Sequence, residues 1–339
     1  MSEKLTDRFF KKGRDFLGVR FPFIAGAMTW VSDPKLVSAV CNAGGFGCLA
    51  GGNSPSAVLE KQILETRSLT DKPFGVNLIT IAPEYPKHLE LVERLRLPFV
   101  IFAGSFPRHR EVLKAKETGA RVLCFASELS IAERMIGYGA DGLILEGSEA
   151  GGHVGYVSLV VLLQQVLFRV TEVPVFAGGG VASGRMAAHL LLMGAAGVQM
   201  GTRFAVTEES TAHPRFKQRF LKAKAREAVS TPQYDSRLHV VAVRAIKNRA
   251  HDAFGRLQLD LIRQLDEGKL GPQDAQFKVE EFWVGALRRA VVDGDVDEGS
   301  LMAGQSVGLV DRIQSVSELM NELVRETEEE LERVRRSLS

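Results

Sequence analysis

The feature that most limits how this chain can fold is a rhythm. From residue 21 to residue 203, short apolar runs alternate with helical stretches, and nearly every run ends in glycine or a small polar residue. The runs lie at 21–25, 47–50, 74–78, 99–103, 121–125, 142–146, 173–177 and 197–200. Apolar runs this short and continuous are buried on both faces, as parallel strands are. Helical patterns fill the gaps at 35–42, 54–68, 88–95, 108–118, 128–138, 159–170 and 183–193. Strict alternation of strand and helix predicts an α/β fold with a parallel sheet. Eight units are the count of a TIM (β/α)8 barrel. The competitor, an open doubly wound sheet, usually shows one dominant glycine loop after its first strand. Here the glycines recur around the whole set, as expected if all the C-terminal strand ends ring one site.

Three of those loops carry chemistry. After the sixth strand comes Glu146, then a glycine-rich loop that delivers His153 between Gly152 and Gly155. Glycine lets backbone approach a ligand closely. An imidazole held on such a loop is an acid or base candidate near neutral pH; a solvated loop histidine is the other reading. After the seventh strand, Gly178-Gly179-Gly180 leads into a helix, and after the eighth, Met200-Gly201-Thr202-Arg203 opens another. Helix N-termini offer free N–H groups to an anion, and phosphate binding after strands seven and eight recurs in barrels. A tight turn would also explain a triple glycine.

Beyond about residue 208 the rhythm stops. Helical patterns at 214–229, 241–251, 254–267 and 274–291 are separated by polar breaks. The expected organisation is a barrel from 1–209 and 292–339, with a smaller, mainly helical inserted domain at 210–291. Residues 293–310 return to glycine-punctuated, ligand-loop character. The charged tail at 315–336 reads as an amphipathic helix, either solvated or a dimer contact.

Composition narrows the function classes. With 45% hydrophobic and 25% charged residues the chain is ordinary globular material. A net charge of +2 gives no reason to expect nucleic acid. Cys41, Cys48 and Cys124 are few and lie in apolar stretches, which suits a reducing cytoplasm rather than a disulfide framework or zinc site. The charged N-terminus lacks a signal-peptide core, and no apolar run reaches spanning length. The expectation is a cytoplasmic protein with no membrane partner.

Further blocks make the sequence familiar: Gly26-Ala27-Met28, residues 71–77 ending in Asn77, 146–155, 175–204, Ala212-His213-Pro214, Arg244-Ala245-Ile246-Lys247-Asn248, and 294–305. Over roughly 21–310 the chain resembles the flavin-dependent enoyl-acyl-carrier-protein reductase II family. More broadly, it is similar to the nitronate monooxygenase (2-nitropropane dioxygenase) superfamily. Glu146 and the blocks at 244–248 and 294–305 resemble the reductases, whereas Ala150 gives the loop its monooxygenase spelling. Ala27 stands where the reductases commonly have a second glycine.

The resemblance implies non-covalent FMN at the barrel's C-terminal face, with NADH or NADPH as co-substrate. It implies a trans-2-enoyl thioester on acyl carrier protein as substrate, at the last reduction of fatty acid elongation. The alternative it carries is oxidation of alkyl nitronates with O₂. It places Met28 and Asn77 against the flavin, Glu146 at the ribityl or ring region, and Gly152 close to the ligand. It gives the phosphate to Gly179, Gly180, Gly201 and Thr202, and completes the cofactor set with Gly26, Ala27, Gly151, Gly178 and Met200. His153 would be the catalytic histidine. No divalent metal is implied, though a monovalent cation near Gly45 and Gly47 is. A homodimer is the expected assembly.

Other residues have two readings. The basic run Arg215, Lys217, Arg219, Lys222, Lys224 and Arg226 is a solvated helix face or a dock for an acidic carrier. Arg244 and Lys247 are candidates for phosphate or carrier contacts. His213 is expected to be structural, and Trp30 either covers the site mouth or packs. His88, His109, His189, His239 and His251 are expected on helix surfaces or loop edges.

Overall fold

The structure, a computed structural model, describes residues 4–52, 54–238 and 242–338. Eight parallel strands close into a barrel: β1 (Phe23–Ala25), β2 (Phe46–Ala50), β3 (Gly75–Ile79), β4 (Phe99–Ala103), β5 (Arg121–Ala126), β6 (Gly142–Glu146), then, past a short β7 (Gly152–His153) outside the barrel, β8 (Val175–Gly178) and β9 (Gly197–Met200). β9 pairs with β1 and completes the ring. The eight-unit expectation holds.

Two short helices, α1 (Leu5–Phe9) and α2 (Lys11–Leu17), precede the barrel. Around it run α3 (Pro34–Asn42), α4 (Ser56–Leu69), α5 (Tyr85–Leu95), α6 (His109–Glu117), α7 (Leu129–Gly137), α8 (Leu159–Leu162), α9 (Gly184–Leu192) and α10 (Thr202–Ala205). The sequence pattern predicts one helix over 159–170, but α8 passes into a π-helical turn at Leu163–Leu167.

Strand side chains alternate between two cores. Ile24, Phe46, Phe99, Ile101, Leu123, Ile144 and Phe176 fill the barrel interior, closed at the bottom by Leu17 and Val19. The intervening residues, such as Val76, Val100, Val122, Leu143, Leu145, Val175 and Val198, face the helices. Two positions further along each inward row lie Asn77, Glu146, Gly178 and Gln199, at the strands' C-terminal ends. The same alternation that packs the core therefore sets the upper layer.

The segment after α10 departs from expectation. Helix α11 (Pro214–Leu221) ends early, and β10 (Ala228–Ser230) pairs antiparallel with β11 (Val243–Ile246). The helix predicted over 241–251 is thus a strand over Val243–Ile246. Apolar Val243, Ala245 and Ile246 are all buried there. Asn248 then caps α12 (Arg249–Asp266) by accepting the His251 N–H, which merges the two predicted helices into one. Helix α13 (Pro272–Val291) packs on α12 around Phe254, Leu261, Val279 and Trp283. This region is mainly helical, with a three-stranded sheet of order β10-β11-β7 that the sequence pattern did not announce.

The last helix, α14 (Val316–Ser337), lies along α9. Its carboxylates serve other elements: Glu326 accepts the Gly184 N–H at 2.8 Å, and Glu328 accepts the N–H groups of Leu5 and Thr6. The three cysteines are free and buried. Among the described residues no helix is long and apolar enough to cross a membrane.

Candidate active site

A cavity of about 1080 Å³ opens at the C-terminal ends of the strands. Ligand pockets usually measure roughly 300–1,000 Å³, so this one has room for two partners side by side. Its lining includes Gly26, Ala27, Met28, Asn77, Glu146, Gly151, Gly152, His153, Gly179, Gly180, Met200, Gly201 and Thr202. Eight strand ends therefore bring together residues up to 176 positions apart (202 − 26). Of the expected set, Gly178 stays below the surface, against Gln199 and the Leu145 carbonyl. Gly45 and Gly47 are elsewhere: they sit at the N-terminal side of β2 against Val40 and Val37, away from the cavity, and no cluster of potential metal ligands occurs among the described residues.

One end of the cavity is backbone. Gly179 and Gly180 both take positive φ, 92° and 75°, which side chains with a Cβ resist. A Cβ on Gly179 would lie 2.9 Å from backbone atoms of Gly147. The N–H groups of Gly180, Gly201 and Thr202 make no hydrogen bond among the described residues. Helix α9 contributes less than expected to an anion site. Its first N–H goes to Glu326, and Ser183 caps the Met186 N–H. Among the described residues no lysine or arginine lines the cavity, so anion binding at this end falls to backbone N–H groups.

Glu146 ends β6 and rises into the floor. Its neighbours in the ring are uncharged: Gly178 on β8, Gln199 on β9, Asn77 on β3 and Phe125 on β5. Burial without a nearby cation pushes its carboxyl up to about 8. The loop carrying Met28 is fixed by Ser32, whose hydroxyl accepts the Met28 N–H and donates to the Gly26 carbonyl.

His153 stands on β7, between the floor and the outer wall. Its ring faces the cavity and is exposed to it, while the protein packed around the cavity holds its pKa below the usual range. The strand is held from outside the barrel: His153 is opposite Val243 and Gly152 is opposite Arg244, and Val154 N–H donates to the Ala242 carbonyl at 2.9 Å. The return segment braces the same loop. A Cβ on Gly151 would fall 2.5 Å from the Ala303 carbonyl carbon, and Gly304 N–H donates to Thr202 Oγ1 at 3.1 Å. Gln305 N–H donates to the Glu149 carbonyl. Residues 302–305 thus join the loop after β6 to the loop after β9.

The other end is apolar and made of side chains. Ile79, Ile81, Phe102, Phe106 and Pro107 form one wall, and Phe277, Trp283, Leu287 and Val291 from α13 form the other. Gln273, Gln276, Glu84, Glu281 and Ser105 are among the polar groups there. Nothing in the sequence pattern singled out α13 as a wall. Gln199 was also missed, although strand alternation from Gly197 was signal enough to place it inward.

Several expectations are corrected. Arg244 does not enter the cavity: its Nε donates to the Ser148 carbonyl at 2.9 Å and Nη1 to the Ala228 carbonyl at 2.7 Å. Lys247 is exposed and outside the cavity lining, which leaves it the surface contact of its two expected roles. The basic run is not one face, because Lys217 is buried on the Thr207 and Ser210 carbonyls and Arg219 pairs with Glu227. His213 caps α11 by accepting the Arg215 N–H, in keeping with a structural role. His88 is fully buried and bonds the Ser54 carbonyl; His251 is buried too. His109 stacks on Tyr138 and His189 pairs with Glu330. His239 lies outside the described residues. Trp30 is 44% exposed at φ 67° and does not line the cavity.

Against known families, residues 11–90 and 79–326 match Nitronate monooxygenase. The chain belongs to the nitronate monooxygenase family. It is therefore an oxidoreductase of a flavin-dependent family. It is 32% identical over 91% of its length, and 94% of the relative's, to a (3aS,4S,5R,7aS)-5-hydroxy-7a-methyl-1-oxo-octahydro-1H-indene-4-carboxyl-CoA dehydrogenase of Mycobacterium tuberculosis. It is 27% identical to a nitronate monooxygenase of Paraburkholderia phytofirmans, over 98% of this chain and 99% of that one. Among solved structures, FabK of Thermotoga maritima superposes with a TM-score of 0.84 at 33% identity, covering 99% of both chains.

Proposed function

We propose that the protein is an FMN-dependent reductase of 2-enoyl thioesters that takes its electrons from NADH or NADPH. The observation that carries this reading is the two-ended cavity, with a backbone cradle at one end and a large apolar arm at the other. A short alkyl nitronate has no use for the arm, whereas an acyl chain does. The relatives support a thioester: FabK is an enoyl-acyl-carrier-protein reductase II, and the Mycobacterium relative is named for a carboxyl-CoA substrate. The nitronate reading is kept by the family's name and the Paraburkholderia relative.

The residues present fit FMN. Unpartnered N–H groups at Gly180, Gly201 and Thr202 suit a phosphate that no cation meets, and the glycines at 179 and 180 leave room for it. Met28, Asn77 and Glu146 would hold the ring system, with Gly152 beside it. Bound there, the cofactor supplies hydride transfer between nicotinamide and the enoyl carbon. The apolar arm would orient the acyl chain and exclude water from it. His153 would donate to the thioester oxygen, where negative charge develops as the β-carbon is reduced, and pass a proton to the α-carbon. Its lowered pKa favours the neutral ring, whose N–H still donates.

The reading is tested with the purified flavoprotein under nitrogen, with NAD(P)H and crotonyl thioester. His153→Ala should lower kcat by roughly 10²–10⁴ while FMN stays bound. Unchanged turnover with retained flavin would contradict the role given to His153.

A further inference from the structure

We infer that Arg244 is the positioning residue of the His153 loop, the buckle by which the segment after α10 sets the histidine's place over the cavity. Three strands meet at this side chain. Arg244 lies on β11, its backbone partner Gly152 on β7 precedes His153, and its Nη1 reaches the Ala228 carbonyl on β10. Its Nε bonds the carbonyl of Ser148, two residues past Glu146 on the loop to His153. One rigid fork therefore fixes the loop's start and, through its strand, the loop's end.

The geometry asks for a guanidinium. Two carbonyls from different elements are met by two N–H groups held in one rigid plane, which fixes the carbonyls relative to each other more firmly than a freely rotating ammonium would. The side chain is half-buried, so loss of it leaves two carbonyls without their partner. β7 itself has only two residues and little cohesion of its own. Released, the loop no longer holds the already exposed His153 ring against the cavity wall.

That displacement has a readout independent of packing. The charged groups on the surrounding elements are Glu146 on β6, Glu149 on the loop, Arg244 on β11 and Glu281 on α13. The ring is open to the cavity, and the protein crowded around it, rather than any of these charges, lowers the His153 pKa, so the titration reports how closely the loop holds the ring against the barrel.

The experiment uses full-length Arg244→Met and Arg244→Lys, with folding checked by circular dichroism. The His153 ring is followed by NMR against pH without substrate and assigned by its absence in His153→Gln. In R244M the midpoint should rise toward the ordinary imidazole range, and R244K should rise less. A midpoint equal to the wild type in folded R244M overturns the inference. Should R244M not fold, R244K decides it: a raised midpoint supports the inference and an unchanged one overturns it. A second arm rests on the enoyl thioester reading. There kcat should fall about tenfold in R244M, with partial recovery in R244K and KM for NAD(P)H within about twofold. If the titration moves and no thioester is reduced by the wild type, the function reading fails and the positioning role stands.

Discussion

The two ends of the cavity are built from opposite materials. The end below the loops after β8 and β9 is backbone: Gly179, Gly180, Gly201 and the Thr202 N–H, held by barrel strands and by the return segment at Gly304. The end under α13 is side chain: Phe277, Trp283 and Leu287 facing Ile79, Ile81 and Phe106. Backbone recognition suits a ligand that never changes, because it leaves few side chains to mutate. Side-chain walls suit a ligand that differs between relatives, because each wall residue can change without disturbing the strands. This chain is similar both to an enzyme named for nitronates and to one named for a CoA thioester.

If the two ends are independent, damage to one should spare the other. The largest effect is expected from Trp283→Ala. Trp283 is 6% exposed and packs against Phe254 with centroids 4.3 Å apart, so truncation should cost about 3–5 kcal/mol in urea unfolding. FMN affinity measured on the folded fraction should change little; a collapse of flavin binding would break the comparison.

Glu146→Gln tests the floor between the ends. The folded pKa is raised from an ordinary 4.5 to about 8, so the native state holds a proton that the unfolded chain releases. Stability is then full below the unfolded pKa and declines as pH rises toward 8. The wild-type apoprotein should lose on the order of a few kcal/mol relative to E146Q across that window. Urea melts of both proteins at pH 5 and about 8.5 give the difference directly, and parallel curves would refute the buried-acid account.

Gly179→Ala tests the backbone end. A Cβ at φ 92°, 2.9 Å from Gly147, should weaken FMN binding by about 10–100-fold, in line with ~1–3 kcal/mol of backbone strain. Flavin fluorescence titration reads this. The smallest effect is expected from Phe277→Ala. That ring is 66% exposed, so stability should stay within about 0.5 kcal/mol while KM rises for long acyl chains more than for crotonyl. Equal KM changes for both would remove Phe277 from the acyl wall.

The two ends also differ in how legible they were. Glycine loops after strands seven and eight can be read locally, because a turn that admits backbone to a ligand leaves its mark within four or five residues. The barrel was legible for a similar reason, since each apolar run between helical stretches declares itself. The α13 wall was not, because Phe277 and Trp283 have the spacing of any amphipathic helix, and only long-range packing turns that face toward the barrel. Arg244 shows the limit of a motif. Its block was recognisable, but its charge suggested an anion, and the acceptors turned out to be the carbonyls of Ser148 and Ala228. Lys217 misled similarly, with its ammonium buried on two carbonyls. A cation's partner is a fact of tertiary structure.

The most direct test of the account is anaerobic turnover by the wild-type flavoprotein, with NAD(P)H oxidation and thioester product followed together. One NAD(P)H should be consumed for each 2-enoyl thioester reduced, without oxygen. No thioester reduction under nitrogen, with O₂ uptake on adding an alkyl nitronate, would contradict it.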